Sequence, residues 1–170
     1  MRRVLAVFAL LAIGITSAHA AMQARAVEWK VGKDTFSGYL VYDDTNGIKR
    51  PGVVMVPDWK GVSDSAIEKA KHVAGDDYVV LVADVYGKGV RPKNDEESMA
   101  QVKKLYADRS VLRARVAKAL DVLKTSKDVP LDTAHIGAVG YCFGGASRAR
   151  CTCSPAACSH RAARSNARRR

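Results

Sequence analysis

After Cys142 the chain runs for 28 residues without an Asp or a Glu. That leaves no acid to follow this cysteine in chain order. From Ser147 to Arg170 there is also no Leu, Ile, Val, Phe or Lys. Such a stretch cannot present an apolar helix face to the underside of a sheet. No segment after residue 20 is apolar enough to cross a membrane as a helix. Cysteine is scarce too. Cys151, Cys153 and Cys158 lie in the tail, so Cys142 is the one cysteine before it.

The net charge of +11 over 170 residues suggests a nucleic-acid partner, but the charge is unevenly spread. From Ala21 to Ala146 there are 19 Lys plus Arg against 17 Asp plus Glu, a net of +2. Two positives sit at Arg2 and Arg3, and the other seven are arginines between Ser147 and Arg170. The body therefore reads as a near-neutral globular domain with a basic tail. As a basic arm for nucleic acid or an anionic membrane the tail is poorly equipped, because no aromatic residues interleave with its arginines. Its C-x-C-x4-C pattern with His160 lacks zinc-site spacing, so no metal is expected.

Arg2-Arg3, the apolar run Val4 to Ile15 and Ala18-His19-Ala20 have the form of an export signal cleaved after Ala20. The expected location is periplasmic or secreted, with no membrane attachment after cleavage. The organisation expected is a signal peptide over 1–20, a partial α/β domain over 21–146 and an Arg/Cys-rich tail over 147–170.

Arg25–Val31 and Thr35–Tyr42 alternate apolar and polar residues around Gly32-Lys33-Asp34, which predicts a hairpin. Gly52–Val56 and Tyr78–Ala83 are short continuous apolar runs, as for strands buried on both faces. Helices are expected from Ser63 or Asp64 to about Val73, stopped by Gly75, and from about Asp95 to Tyr106. A third covers Arg109 to Ser126, with an apolar stripe of Leu112, Val116, Ala119, Leu120 and Leu123. Its Arg113, Arg115 and Lys118 read as a solvated face. This alternation predicts a three-layer α/β sandwich with a mostly parallel sheet.

The chain then reaches His135–Val139, strand-like, and Gly140-Tyr141-Cys142-Phe143-Gly144-Gly145. G-x-C-x-G is the cysteine form of the nucleophile elbow. A strand that reverses into a helix within a few residues strains the central residue and exposes its side chain. Glycines flank it because a Cβ there would collide with neighbouring backbone. The following helix N-terminus would favour negative charge at the nucleophile and on the oxyanion of acyl transfer. Taken alone, the motif is also compatible with a core cysteine in a glycine-rich turn.

Three stretches in the same order resemble the dienelactone hydrolases, within the α/β-hydrolase fold. They are the elbow, Val54-Met-Val-Pro-Asp-Trp-Lys-Gly-Val62, and Ala83-Asp-Val-Tyr-Gly-Lys88. The resemblance covers about Glu28 to Ala146. It implies Cys142 as nucleophile and the backbone N–H groups of Trp59 and Phe143 as oxyanion hole. Asp58 would be an acid acting on the resting thiol, Lys88 a cation for a substrate anion, and Gly140 and Gly144 the elbow glycines. The implied activity is carboxylic ester hydrolysis of a small ester or lactone through an acyl-cysteine, without a cofactor.

The resemblance also exposes a break. In this fold the nucleophile is followed by an acid and then a His, and after Cys142 there is only His160. His19, His72 and His135 sit elsewhere and read as ordinary residues. The tail reads as a frame change shortly after Ala146, with turnover impaired. The competing expectation is a non-catalytic remnant or a small-molecule binding module.

Overall fold

The computed structural model describes residues 22–147. The expected signal peptide, and the tail from residue 148 with its three cysteines and His160, lie outside the described residues.

Strands β1 (Met22–Val31) and β2 (Asp34–Asp43) form the expected antiparallel hairpin, paired from Met22 with Asp43 to Val31 with Asp34. Strand β3 (Arg50–Val56) and strand β4 (Val79–Val82) are parallel neighbours. Strand β5 (Leu131–Gly140) lies parallel to β3 on its other side. The sheet order is β1-β2-β4-β3-β5: β4, β3 and β5 run parallel, and the hairpin joins them through an antiparallel β2–β4 pairing. β5 begins at Leu131, earlier than the sequence reading placed it, because Leu131 pairs with Arg50 across a bulge between Pro51 and Gly52.

Helix α1 (Asp64–Ala74) covers one face of the sheet, and helices α2 (Asp95–Ala107) and α3 (Arg109–Thr125) the other. The strand pleat sorts the core between them. Val41, Met55, Val80 and Val82 meet Ala66, Ala70 and Ala74 of α1. Leu40, Val54, Val56, Val79 and Leu81 meet Leu105 of α2 and Leu112, Val116, Ala119 and Leu123 of α3. Alanines on α1 let that helix lie close to the β-branched strand face. The result is an α/β/α sandwich of the α/β-hydrolase type.

Helix ends follow local chemistry. The Ser63 hydroxyl accepts from Ala66 N, and Gly75, at φ 42°, donates its N–H to Lys71 O. Asn94 caps α2 through Glu97 N, and Asp108 ends α2 and caps α3 through Ser110 N.

One surface expectation is corrected. Arg115 does not lie on a solvated face: its guanidinium donates to Val85 O at 2.7 Å, reaches Asp34 at 3.5 Å and stands 4.9 Å over the Phe36 ring. It ties α3 to the β4 exit and to the hairpin.

Candidate active site

β5 ends at Gly140, but its pairing with β3 continues one residue further, through Tyr141 N donating to Val56 O at 3.1 Å. Gly144 N then donates to Tyr141 O at 2.8 Å and closes the turn. Cys142 sits between these bonds at φ 49°, the one non-glycine residue with positive φ among the described residues. An L-residue there is strained and persists only where its surroundings fix it. They do: the left-handed turn throws Cys142 into solvent and drives Phe143 into the core at 3% exposure.

The flanking glycines are required by contact. A Cβ on Gly144 would lie 2.3 Å from Val56 O and 2.7 Å from Pro57 O. The elbow therefore rests directly on the exit of β3. Beyond it, Cys142–Ser147 is a 3-10 turn and not the expected α-helix. Six residues of 3-10 turn supply little of an aligned helix dipole, so the electrostatic help expected from a helix N-terminus is weak over the described residues.

The β3 exit carries the second segment. Gly61 N donates to Asp58 O at 2.9 Å, folding Asp58–Gly61 into a turn, and Gly61 has φ 69°. The Tyr86 hydroxyl donates to the Trp59 carbonyl at 2.8 Å. Asp58 directs its carboxylate at the Lys60 N–H, 3.0 Å away, and at Lys69 Nζ of α1, 2.7 Å away. Burial pushes the Asp58 carboxyl up. The Lys69 and Lys60 hydrogen bonds and both ammonium charges more than offset this and hold it below the usual carboxylate value. Lys69 Nζ also lies 5.8 Å from the centre of the Tyr141 ring, beside the elbow. Lys69 was not singled out from the sequence. Eleven residues from Asp58, it carries no motif that could have marked it.

The β4 exit is the third segment. Asp84 is 1% exposed and accepts from Ser37 N, Tyr86 N and Gly87 N at 3.0–3.1 Å, with Arg91 3.6 Å away. Lys88 forms an ion pair with Glu28 of β1 at 2.8 Å. A cleft of about 370 Å³ opens between the Lys60–Ile67 segment, Tyr39 and Arg91-Pro92. The Arg91 guanidinium is occupied there by the carbonyls of Gly87, Val90 and Ser37.

Two histidines are described. His72 is exposed on α1. His135 Nδ1 lies 2.6 Å from Asp132, seven residues up the strand from Cys142, roughly 20 Å along an extended chain. Among the described residues neither ring is hydrogen-bonded to the Cys142 thiol. Among the described residues no group of three or more His, Cys, Asp or Glu could hold a metal ion.

This arrangement puts an exposed thiol on a strained turn at the exits of parallel strands. The profile described as "Dienelactone hydrolase family" matches residues 36–157. A solved structure named m3DLH is 35% identical, with TM-score 0.68 over 75% of this chain and 52% of that one. A dienelactone hydrolase-like promiscuous phosphotriesterase from metagenomic libraries is 32% identical, with the same TM-score and coverage. A dienelactone hydrolase from Anabaena variabilis, 22% identical with TM-score 0.53 over 74% of this chain and 55% of that one, shares the fold. No curated protein matches. The chain spans about half the length of the first two solved structures. With its three motif segments meeting at one end of the sheet, this chain belongs to the dienelactone hydrolase family.

Proposed function

We propose that the protein is a hydrolase of dienelactone hydrolase type that cleaves a small ester or lactone through Cys142. The observation that carries this is Cys142 itself, exposed at φ 49° between two glycines that nothing larger could replace. The thiolate sulfur adds to the carbonyl carbon, and the carbonyl π pair moves to oxygen. The backbone N–H groups of Trp59 and Phe143 are the donors for that oxyanion. Its collapse re-forms the carbonyl and breaks the ester C–O bond; the departing alkoxide, or the opened lactone's, takes a proton from water, and water then hydrolyses the acyl-cysteine to the acid and the free thiol.

Turnover is what we read as impaired in this chain, since neither described histidine is hydrogen-bonded to the thiol. Export with cleavage after Ala20 belongs to the same proposal; N-terminal sequencing of the protein from a periplasmic fraction tests it.

The catalytic test is a burst experiment with p-nitrophenyl acetate on the full chain. Release of one equivalent of nitrophenol, lost in Cys142→Ala, supports the proposal, and a slow phase afterwards reports the impaired turnover. The variant also separates Cys142 from Cys151, Cys153 and Cys158. An undiminished burst in Cys142→Ala sinks the proposal, and a parent protein that releases no nitrophenol favours a binding module without turnover. One similar protein is named a promiscuous phosphotriesterase, so an aryl phosphotriester belongs in the same substrate panel.

A further inference from the structure

We infer that Tyr86 is the positioning residue of the oxyanion hole, bracing the Trp59 loop against the elbow so that the Trp59 and Phe143 N–H groups keep a fixed separation. The inference rests on the acyl-transfer reading above.

The two segments belong to different strand exits, and Tyr86 touches both. Its hydroxyl donates to the Trp59 carbonyl at 2.8 Å, and its ring centre lies 5.9 Å from that of Phe143. Peptide planarity turns the first contact into orientation. The Asp58–Trp59 peptide carries the Trp59 N–H opposite the Asp58 carbonyl, and that carbonyl accepts from Gly61 N at 2.9 Å. The next peptide is held through the Trp59 carbonyl by Tyr86. With both planes pinned, the direction of the Trp59 N–H is set.

The contact surface leaves no slack. A Cβ on Gly61 would lie 2.8 Å from the Tyr86 ring, so the loop lies flat on that ring. The brace is anchored at its base as well, since the Tyr86 N–H donates to buried Asp84 at 3.0 Å. From the other side the Tyr106 ring, 5.6 Å away, backs Phe143. Burial, the Asp58 charge and Tyr106 all push the Tyr86 phenol well up, so its hydroxyl stays a donor throughout the working pH range.

Tyr86→Phe tests this, because it keeps the ring on Phe143 and deletes only the bond to Trp59. Two rates are read at Cys142 in the full chain with Cys151, Cys153 and Cys158 changed to Ser. Acylation by p-nitrophenyl acetate passes through an oxyanion, whereas alkylation by iodoacetamide does not. Acylation is expected to fall about tenfold with alkylation unchanged, less than the roughly 10²–10³ lost when an oxyanion donor is itself removed. Should Tyr86→Phe fail to fold, Phe143→Leu cuts the brace at its other end and is expected to lower the same ratio. Unchanged acylation, or both rates falling together, overturns the brace and leaves the nucleophile in place. A parent protein that is alkylated at Cys142 but never acylated overturns the acyl-transfer reading itself, and the brace with it.

Discussion

Gly140 and Gly144 approach so closely across the elbow that a Cβ on Gly140 would lie 2.3 Å from the Gly144 carbonyl oxygen. The obstacle is backbone, already committed to the turn that holds Cys142 at positive φ. No side-chain rotation relieves it.

Gly140→Ala is therefore expected to destabilise the protein by about 3 kcal/mol or more, lowering Tm by roughly 10 °C. Gly137, three residues back on the same strand, has nothing within 4 Å of its would-be Cβ. Gly137→Ala is expected to change stability by no more than about 1 kcal/mol. Paired thermal melts check the contrast, and equal losses would refute the steric account.

Asp84 supports three backbone N–H groups and faces Arg91. Asp84→Ala strands these donors beside a cation, at an expected cost of about 3–5 kcal/mol. Arg91→Met should cost less, since its loss leaves Asp84 with its backbone partners. Denaturant midpoints at unchanged m-value measure both, and the order of the two losses is the test.

Four carboxylates are held below their usual value of 3.8. Asp43 is lowered chiefly by the Thr45 hydroxyl and N–H, Asp108 by those of Ser110, and Asp132 by His135 and the Ala134 N–H. Asp58 is lowered by Lys69 and Lys60, against its burial. As pH falls, the unfolded chain takes up these protons first. The stabilisation is therefore complete above 3.8 and is lost as pH falls through the lowered values. Tm followed from about pH 6 to about pH 2.5 should drop steeply at the acid end, and Asp58→Asn should shallow that drop. A Tm that climbs toward acid contradicts the sign.

Lys88 and Glu28 form an exposed pair, worth at most about 1 kcal/mol. Lys88→Met should therefore leave stability nearly unchanged. If Lys88 receives a substrate anion, the change slows acylation by an anionic aryl ester and spares a neutral one. Glu28→Gln, which releases Lys88, then speeds the anionic ester. Equal rates on both esters in both variants would remove Lys88 from the site.

The elements legible in the sequence were those whose cause is local. Alternation marked the hairpin, continuous apolar runs marked β3 and β4, and Ser63 and Gly75 marked the ends of α1. Arg115 was misjudged because its partners, Asp34 and Val85, are 81 and 30 residues away. The links from Lys69 to Asp58 and from Tyr86 to Trp59 were hidden for the same reason.

The sequence by itself determined the strands and helices α1 to α3, the family and the candidate nucleophile. Each rests on periodicity or on a motif spanning a few residues, such as the six from Gly140 to Gly145. Only the tertiary structure decided which charged and aromatic groups meet. It puts Lys88 on Glu28, Asp58 on Lys69 and Tyr86 between Trp59 and Phe143. These pairings arise because the strand exits place Asp58, Tyr86 and Lys88 against residues of a helix, a strand and a turn that lie 11 to 60 positions away in the chain.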